Sequence, residues 1–430
     1  MLNKNRIFFI LFFPFLFFQL SHPVYSSFGS EEDEKIIVDY VTKIMKVDLK
    51  PSEYSKKLPR IKCRKDTEGW KMYVDNKTYF IRGFCYSPVP IGFRYDWNIE
   101  KSPNRENIFA MDFSLMQTIN ANTVRLYNLW PVAWLEKIYK EYGIRFVISI
   151  GFGQYGVNVK GKWVPTPNYA NNQHRKAIIK EMVEIILKYR NSPAVLLYVL
   201  GHENNYTFNW EVQELGAFVR SKKHFAFAKA FYSLANIGAK IAHRLDPNHP
   251  VALGNGDLQY IDIINKECPQ IDIIAPNVYR GKSFNSFFED VKVKMDKPLY
   301  IKELGCDAMN SLTEEEDNSS QAEYIQNQWQ EIYTNSGKRG TANCIGGTHF
   351  EFLDEWWKSD EYNRPTWDVH DITASWPSEG YIFDSEAGNN MSEEWFGVVR
   401  QEPNVVNGVN ERAPRPAFYI LKEIWKKVPY

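Results

Sequence analysis

Two glutamates stand where chemistry could be done. Glu203 follows the apolar run Ala194–Leu200 inside the sequence Gly-His-Glu-Asn-Asn, and Glu303 closes the run that starts at Leu299. A pair of carboxylates facing each other can divide the work of breaking a glycosidic bond. One, kept protonated, donates to the leaving oxygen; the other, kept ionised, attacks the anomeric carbon. Like charges at close range repel, so the two do not ionise together easily, and a neighbouring cation decides which one stays charged. A lone glutamate is more often a solvated loop residue than a catalyst. Here other apolar runs also end in polar side chains, with Arg125, Tyr127 and Asn128 after one and Asn277 and Tyr279 after another. That repetition points to a shared site.

Such residues need strands that deliver them to one place. From about Trp70 onward, short β-branched or apolar runs alternate with amphipathic helical stretches, the pattern of a parallel sheet with crossover helices. Strands are expected at 79–86, 122–127, 144–150, 194–200, 250–253, 271–275, 299–302 and about 345–350. Helices fall between them, among them 132–142, 174–189 and 225–244, and a last one at 416–427 presents Phe418, Leu421, Ile424 and Trp425 to the wall. Eight strand–helix units make a closed (β/α)8 TIM barrel the natural count: an α/β single domain with inserted loops, the longest lying between strand eight and the last helix. In that fold the site lies at the C-terminal ends of the strands, so Glu203 and Glu303, ending strands four and seven, face each other across the mouth. A doubly wound open sheet is the rival, but no G-x-G-x-x-G turn follows the first strand.

The segments YFIRGFCYSPVPIG, ANTVRLYNLWP, LYVLGHENN, IAPNVYRG, PLYIKELGCDA and GTHFEFLDEWWK, in that order, resemble the catalytic barrels of the retaining glycoside hydrolase clan with its acid/base on strand four and its nucleophile on strand seven. The chain is most similar to the family 2 glycoside hydrolases and, more loosely, to β-1,3-glucanosyltransferases, over roughly residues 79–428. The resemblance implies Glu203 as acid/base, Glu303 as nucleophile, Tyr279 steadying the nucleophile and Arg125 holding it ionised. It also marks a departure: the residue before the acid/base is usually asparagine in this clan, where it contacts the sugar 2-hydroxyl, and here it is His202. A barrel that has lost catalysis and serves as a cell-envelope glycan-binding module is the alternative that His202 favours. The implied substrate is a β-linked glucan or related hexose polymer.

Aromatic side chains are supplied where a glycan would lie, with Trp356 and Trp357 ending strand eight and Trp367, Trp376 and Trp395 in the loop after it. Indole faces pack on the apolar faces of sugar rings, and Trp356 is the expected platform. His349 is a further candidate for the pocket, whereas His174 reads as a helix-start residue and Asp354 and Glu355 as ion-pair partners of the rim. Fifty-two basic residues balance 52 acidic ones, and without a basic stripe there is no electrostatic case for a nucleic acid partner. The five cysteines are scattered, with no spacing that suits zinc, so neither a metal nor another cofactor is expected. Lys4 and Arg6 precede an apolar run from Ile7 to Leu20, which is shorter than the roughly 20 residues a membrane-spanning helix needs. Residues 1–26 therefore read as a signal peptide cut near Ser27, giving an exported protein without stable membrane insertion. Residues 27–69 read as a lead-in and 70–430 as the catalytic domain.

Overall fold

The computed structural model describes residues 28–208, 222–358, 360–372 and 391–430. The expected signal segment and Trp376 lie outside them. The barrel strands are β1 (Ile81–Tyr86), β2 (Thr123–Leu126), β3 (Arg145–Ile150), β4 (Val195–Leu200), β5 (Val251–Gly256), β6 (Ile273–Asn277), β7 (Leu299–Leu304) and β8 (Cys344–His349). Each pairs in parallel with the next, and β8 pairs with β1, so the sheet closes on itself as expected. Strands walled by helices outside and by one another inside are buried on both faces. This is why they are legible as unbroken apolar runs such as Val-Leu-Leu-Tyr-Val-Leu in β4, every residue of which is buried.

A helix follows each strand: α1 (Arg105–Thr118), α2 (Val132–Tyr142), α3 (Asn172–Tyr189), α4 (Lys222–Leu245), α5 (Ile261–Glu267), α6 (Phe287–Lys294), α7 (Asn318–Thr334) and α8 (Pro416–Trp425). Local chemistry sets their ends. Asn171 caps α3 by accepting from the backbone N–H groups of Gln173 and His174, and Gly143 ends α2 in the left-handed conformation at φ +73°. His174 sits at that helix start, its Nδ1 accepting from the backbone N–H of Asn168 at 2.9 Å.

The seam between β8 and β1 depends on Gly346, which pairs with Ile81. Its φ is +112°, and a Cβ there would lie 2.1 Å from the Ile81 carbonyl oxygen. The seam is covered by α8, whose Trp425 ring packs 4.9 Å from Trp329 and 5.1 Å from Phe84.

Val147, Leu197, Val199, Ala252, Ile273, Ala275, Tyr300 and Ile345 fill the lower barrel, where they meet Ile61 and Met72. Those two belong to an antiparallel sheet of Ile61–Asp66, Gly69–Val74 and Lys77–Tyr79 that floors the barrel. Its first hairpin runs across position 69/70, with the strand Ile-Lys-Cys-Arg-Lys-Asp exposing most of its charged residues. At the other end, the long loop after β8 contains an antiparallel hairpin, Val399–Val406 with Val409–Pro414. Arg415, between that hairpin and α8, grips Asp354 with two parallel bonds of 2.7 and 2.9 Å and reaches Glu316 at 3.0 Å. Asp354 is thus a structural ion-pair partner, as expected.

Candidate active site

Glu303 arrives at the mouth from β7 and is almost wholly buried. Arg125, from β2, donates through Nη1 to its Oε1. Tyr127 donates to the same oxygen at 3.0 Å, and Tyr279, just past β6, donates to Oε2 at 3.1 Å. Arg125 is itself fixed, giving Nε–H to Ser149 on β3 at 3.1 Å. Burial opposes ionisation of Glu303, but the charge of Arg125, with His202, Lys302 and the Arg125 hydrogen bond, outweighs it and brings the pKa down to about 2. Glu303 is therefore a carboxylate at any ordinary pH.

Glu203 lies just beyond β4 on a sharp turn. Gly201 takes φ +84° and Glu203 itself φ +58°, a left-handed conformation that a side-chain-bearing residue adopts only where its surroundings enforce it. Asn204 enforces it, its Oδ1 accepting from the backbone N–H of His202 at 2.8 Å while its amide donates to Tyr169 at 2.8 Å. Asn205 is buried and bonded to Gly256 in both directions, its amide donating to the carbonyl and its Oδ1 accepting from the N–H. Burial raises the Glu203 pKa to about 7 and the charge of Glu303 adds to the rise; Lys302 and the Asn277 amide act against it. The environments of the two glutamates push their pKa values apart, as an acid and a nucleophile require.

His202 stands between them. Its Nδ1 is met by Arg125 Nη2 at 3.0 Å and by Lys302 Nζ at 2.7 Å. A guanidinium has no acceptor, so Nδ1 must be the unprotonated nitrogen and Nε2 carries the hydrogen. Burial, followed by the charge of Lys302, holds the imidazole well below its ordinary pKa. The ring of Tyr155 stacks beside it at 6.0 Å and 27°. His202 is thus a neutral ring with a fixed N–H.

Beyond the glutamates, Phe350 follows β8 with its ring 6.3 Å from Tyr127 and 6.4 Å from Tyr279. Lys358 Nζ lies 5.6 Å from the same ring and is bound by Glu393 at 2.5 Å and Glu355 at 3.5 Å. Glu351 belongs to this cluster and is fully buried; neither of its carboxyl oxygens has a hydrogen-bond partner among the described residues. Burial, then the charge of Glu355, pushes its pKa well above the usual carboxylate range.

The structure thus brings together Arg125, Tyr127, His202, Glu203, Asn277, Tyr279 and Glu303. Trp356 stands apart in a stack, one face against His370 at 4.5 Å, with His370 in turn on Trp395 at 3.5 Å. His349 is fully buried, and burial lowers its pKa to about 3. Sequence reasoning passed over Lys302, Tyr155, Ser149 and the Glu351–Lys358–Glu393 cluster. For Lys302 a signal existed: a lone lysine inside the apolar run Leu-Tyr-Ile-Lys-Glu-Leu. Among the described residues no group of three or more His, Cys, Asp or Glu is arranged to hold a metal ion.

A closed barrel whose mouth holds an ionised and a proton-bearing carboxyl is the architecture of a glycoside hydrolase domain. Residues 71–365 match the model of the glycosyl hydrolases family 2 TIM barrel domain, and the chain belongs to that family. Solved structures with the same fold include a beta-galacturonidase from Eisenbergiella tayi bound to galacturonate, 13% identical with a TM-score of 0.52, over 86% of this chain and 54% of that one. A beta-glucuronidase from Bacteroides uniformis is 15% identical with a TM-score of 0.55, over 85% of this chain and 37% of that one. Bacteroides uniformis beta-glucuronidase 2, covalently bound to cyclophellitol-6-carboxylate aziridine, is 16% identical with a TM-score of 0.55 over the same shares. The chain spans about half the length of the first of these and less of the others. No curated protein matches it.

Proposed function

We propose that the protein is a retaining β-glycosidase or glycan transglycosylase in which Glu303 is the nucleophile and Glu203 the acid/base. The observation that carries this reading is the opposed electrostatics of the pair: Glu303 pinned as an anion by Arg125, Tyr127 and Tyr279, and Glu203 raised to about 7 beside it. Glu303 attacks the anomeric carbon while Glu203 gives its proton to the leaving oxygen. Glu203, now ionised, then takes a proton from water or from a sugar hydroxyl, which breaks the glycosyl–Glu303 bond. Water gives hydrolysis and a sugar gives transfer. The substrate is a β-linked glycan; the uronides in the names of the structural neighbours are one candidate class for its sugar, and neutral hexoses are another. Trp356 contributes a sugar platform on the face that His370 does not cover.

The test uses Glu203→Ala on an aryl β-glycoside whose leaving group departs unaided. The first step should survive, and azide, which needs no deprotonation, should restore turnover and give a glycosyl azide of retained configuration. An inverted azide from this variant would reverse the two roles. A wild-type protein that binds glycan yet neither hydrolyses nor transfers it would establish the binding-module reading that His202 favours. Export belongs to the same proposal: N-terminal sequencing of the mature protein from its host should start near Ser27, and an intact Met1 on a cytoplasmic protein would refute it.

A further inference from the structure

We propose that the hairpin after β3 is an aromatic arm, and that Tyr155 and Trp163 on it hold a sugar unit beyond the one between the glutamates. The inference rests on the glycosidase reading above and adds to it two residues that favour a chain of sugars over a single one. The arm pairs Val157–Val159 with Lys162–Val164 in antiparallel fashion. One face packs inward: Val157 is buried, and Val159 and Val164 lie against the core. Asn158 and Trp163, opposite each other in the register, take the other face, so the core does not need Trp163. That side chain is 57% exposed, and no other tryptophan among the described residues is as open to solvent.

Tyr155 joins the arm to the catalytic centre. Its ring is 64% exposed yet held in place, stacked beside His202, whose Nδ1 lies 3.6 Å from Glu303 Oε1. The next residue, Gly156, takes φ +99°, and a Cβ there would stand 2.6 Å from Trp163 Cζ2. The indole therefore lies on the backbone next to Tyr155, where only glycine leaves room. The base of the arm is tied to the turn that carries Glu203, because Asn204 donates to Tyr169 at 2.8 Å and Tyr169 donates to the Phe152 carbonyl at 3.2 Å. Two aromatic faces fixed in direction and open to solvent beside the reacting atoms suit the apolar face of a sugar ring. Their neighbours Asn158, Lys160 and Lys162 are polar and exposed, which suits a hydroxylated ligand better than an apolar protein face.

The experiment measures kcat and KM of the full chain on β-linked glucose, mannose, xylose and galactose oligosaccharides, from disaccharides to hexasaccharides, and on the 4-nitrophenyl β-D-monosaccharides. Trp163→Ala should raise KM on the best oligosaccharide about tenfold, with kcat falling by less than about twofold, the pattern of a lost binding contact remote from the reacting bond. Trp163→Phe, which keeps a ring, should restore most of the loss, as should Tyr155→Phe relative to Tyr155→Ala. Both side chains are mostly exposed, so these variants keep the core intact. An oligosaccharide KM that Trp163→Ala leaves unchanged, or turnover confined to the aryl monosaccharides, overturns the inference and leaves the glycosidase reading standing. If nothing is turned over, the glycosidase reading fails instead, and calorimetric titration with the same oligosaccharides decides the arm. Binding that Trp163→Ala weakens about tenfold supports it; binding that the variant leaves unchanged, or no binding at all, overturns it.

Discussion

Arg125–Glu303 and Arg415–Asp354 are both arginine–carboxylate pairs shut away from water, and their carboxyl groups shift in opposite directions. Burial raises Asp354 to about 6 in spite of Arg415, while Glu303 falls to about 2. The grip on Asp354 is bidentate and that on Glu303 runs through a single guanidinium nitrogen, so the number of arginine bonds is not the difference. Glu303 feels the charge of Lys302 as well as that of Arg125, whereas the further charge beside Asp354 is the carboxylate of Glu316, which pushes the wrong way. A buried arginine–carboxylate pair is therefore not in itself a sign of chemistry. What sets the proposed nucleophile apart is a second cation near it, with a carboxyl of raised pKa beside it.

Conservative amides should separate the pairs most sharply. Glu303→Gln should lower kcat by a factor on the order of 10⁴ or more in the protein that remains folded, since no glycosyl intermediate can form, and it should also cost about 3–5 kcal/mol of stability because Arg125 loses its buried counter-charge. Asp354→Asn should leave Arg415 buried with Glu316 as its remaining counter-charge and cost up to about 3 kcal/mol in denaturant unfolding, reducing activity only through lost folded protein. If folded Glu303→Gln keeps its turnover and Asp354→Asn abolishes turnover in a fully folded chain, the contrast is wrong.

A smaller effect is expected from pH. Glu203 has a folded pKa near 7 against about 4.3 in an unfolded chain. The folded state then holds the extra proton, and stability falls as pH rises between those values. Glu203→Gln should accordingly raise the melting temperature at pH 8 and leave it unchanged at pH 4. Glu303 works the other way, stabilising the fold above about pH 4.3 and losing that contribution as pH drops toward 2. Smallest of all is Lys302→Met. The lysine's charge lowers the Glu203 pKa, so its removal should move the alkaline limb of the kcat/KM profile upward by about half a unit. A limb that stays in place or moves down would remove Lys302 from the electrostatic account.

The barrel was legible because parallel strands buried on both faces are uninterrupted apolar runs, and α2 and α8 carry helical periodicity that ends where their capping signals stand. Glu203, Glu303, Arg125, Tyr127 and Tyr279 were legible for a related reason, being polar groups that close such runs. Lys302 was not. Alternation along a strand places residues 302 and 303 on opposite faces, but the pairings of β7 with β6 and with β8 shift register near its C-terminal end, and both side chains reach His202. Glu351 and Lys358 come from irregular chain and Glu393 from a three-residue 3-10 turn, too short for a period to be read. The hairpin at 399–414 did carry a signal, Asn407-Gly408 between Val406 and Val409, though Pro403 interrupts its first strand, and the floor sheet was hidden by strands whose charged residues face solvent.

The seam at Gly346 also constrains how the molecule is made. β1 leaves the ribosome long before β8, and at about 5–20 residues per second the interval is on the order of tens of seconds. Throughout it one edge of β1 offers unpaired N–H and C=O groups to any passing strand. Closure must then draw together two segments from opposite ends of the barrel sequence, which makes late, slow completion a property of the topology. The nascent chain is thus expected to need a holding chaperone until translation reaches Cys344–His349.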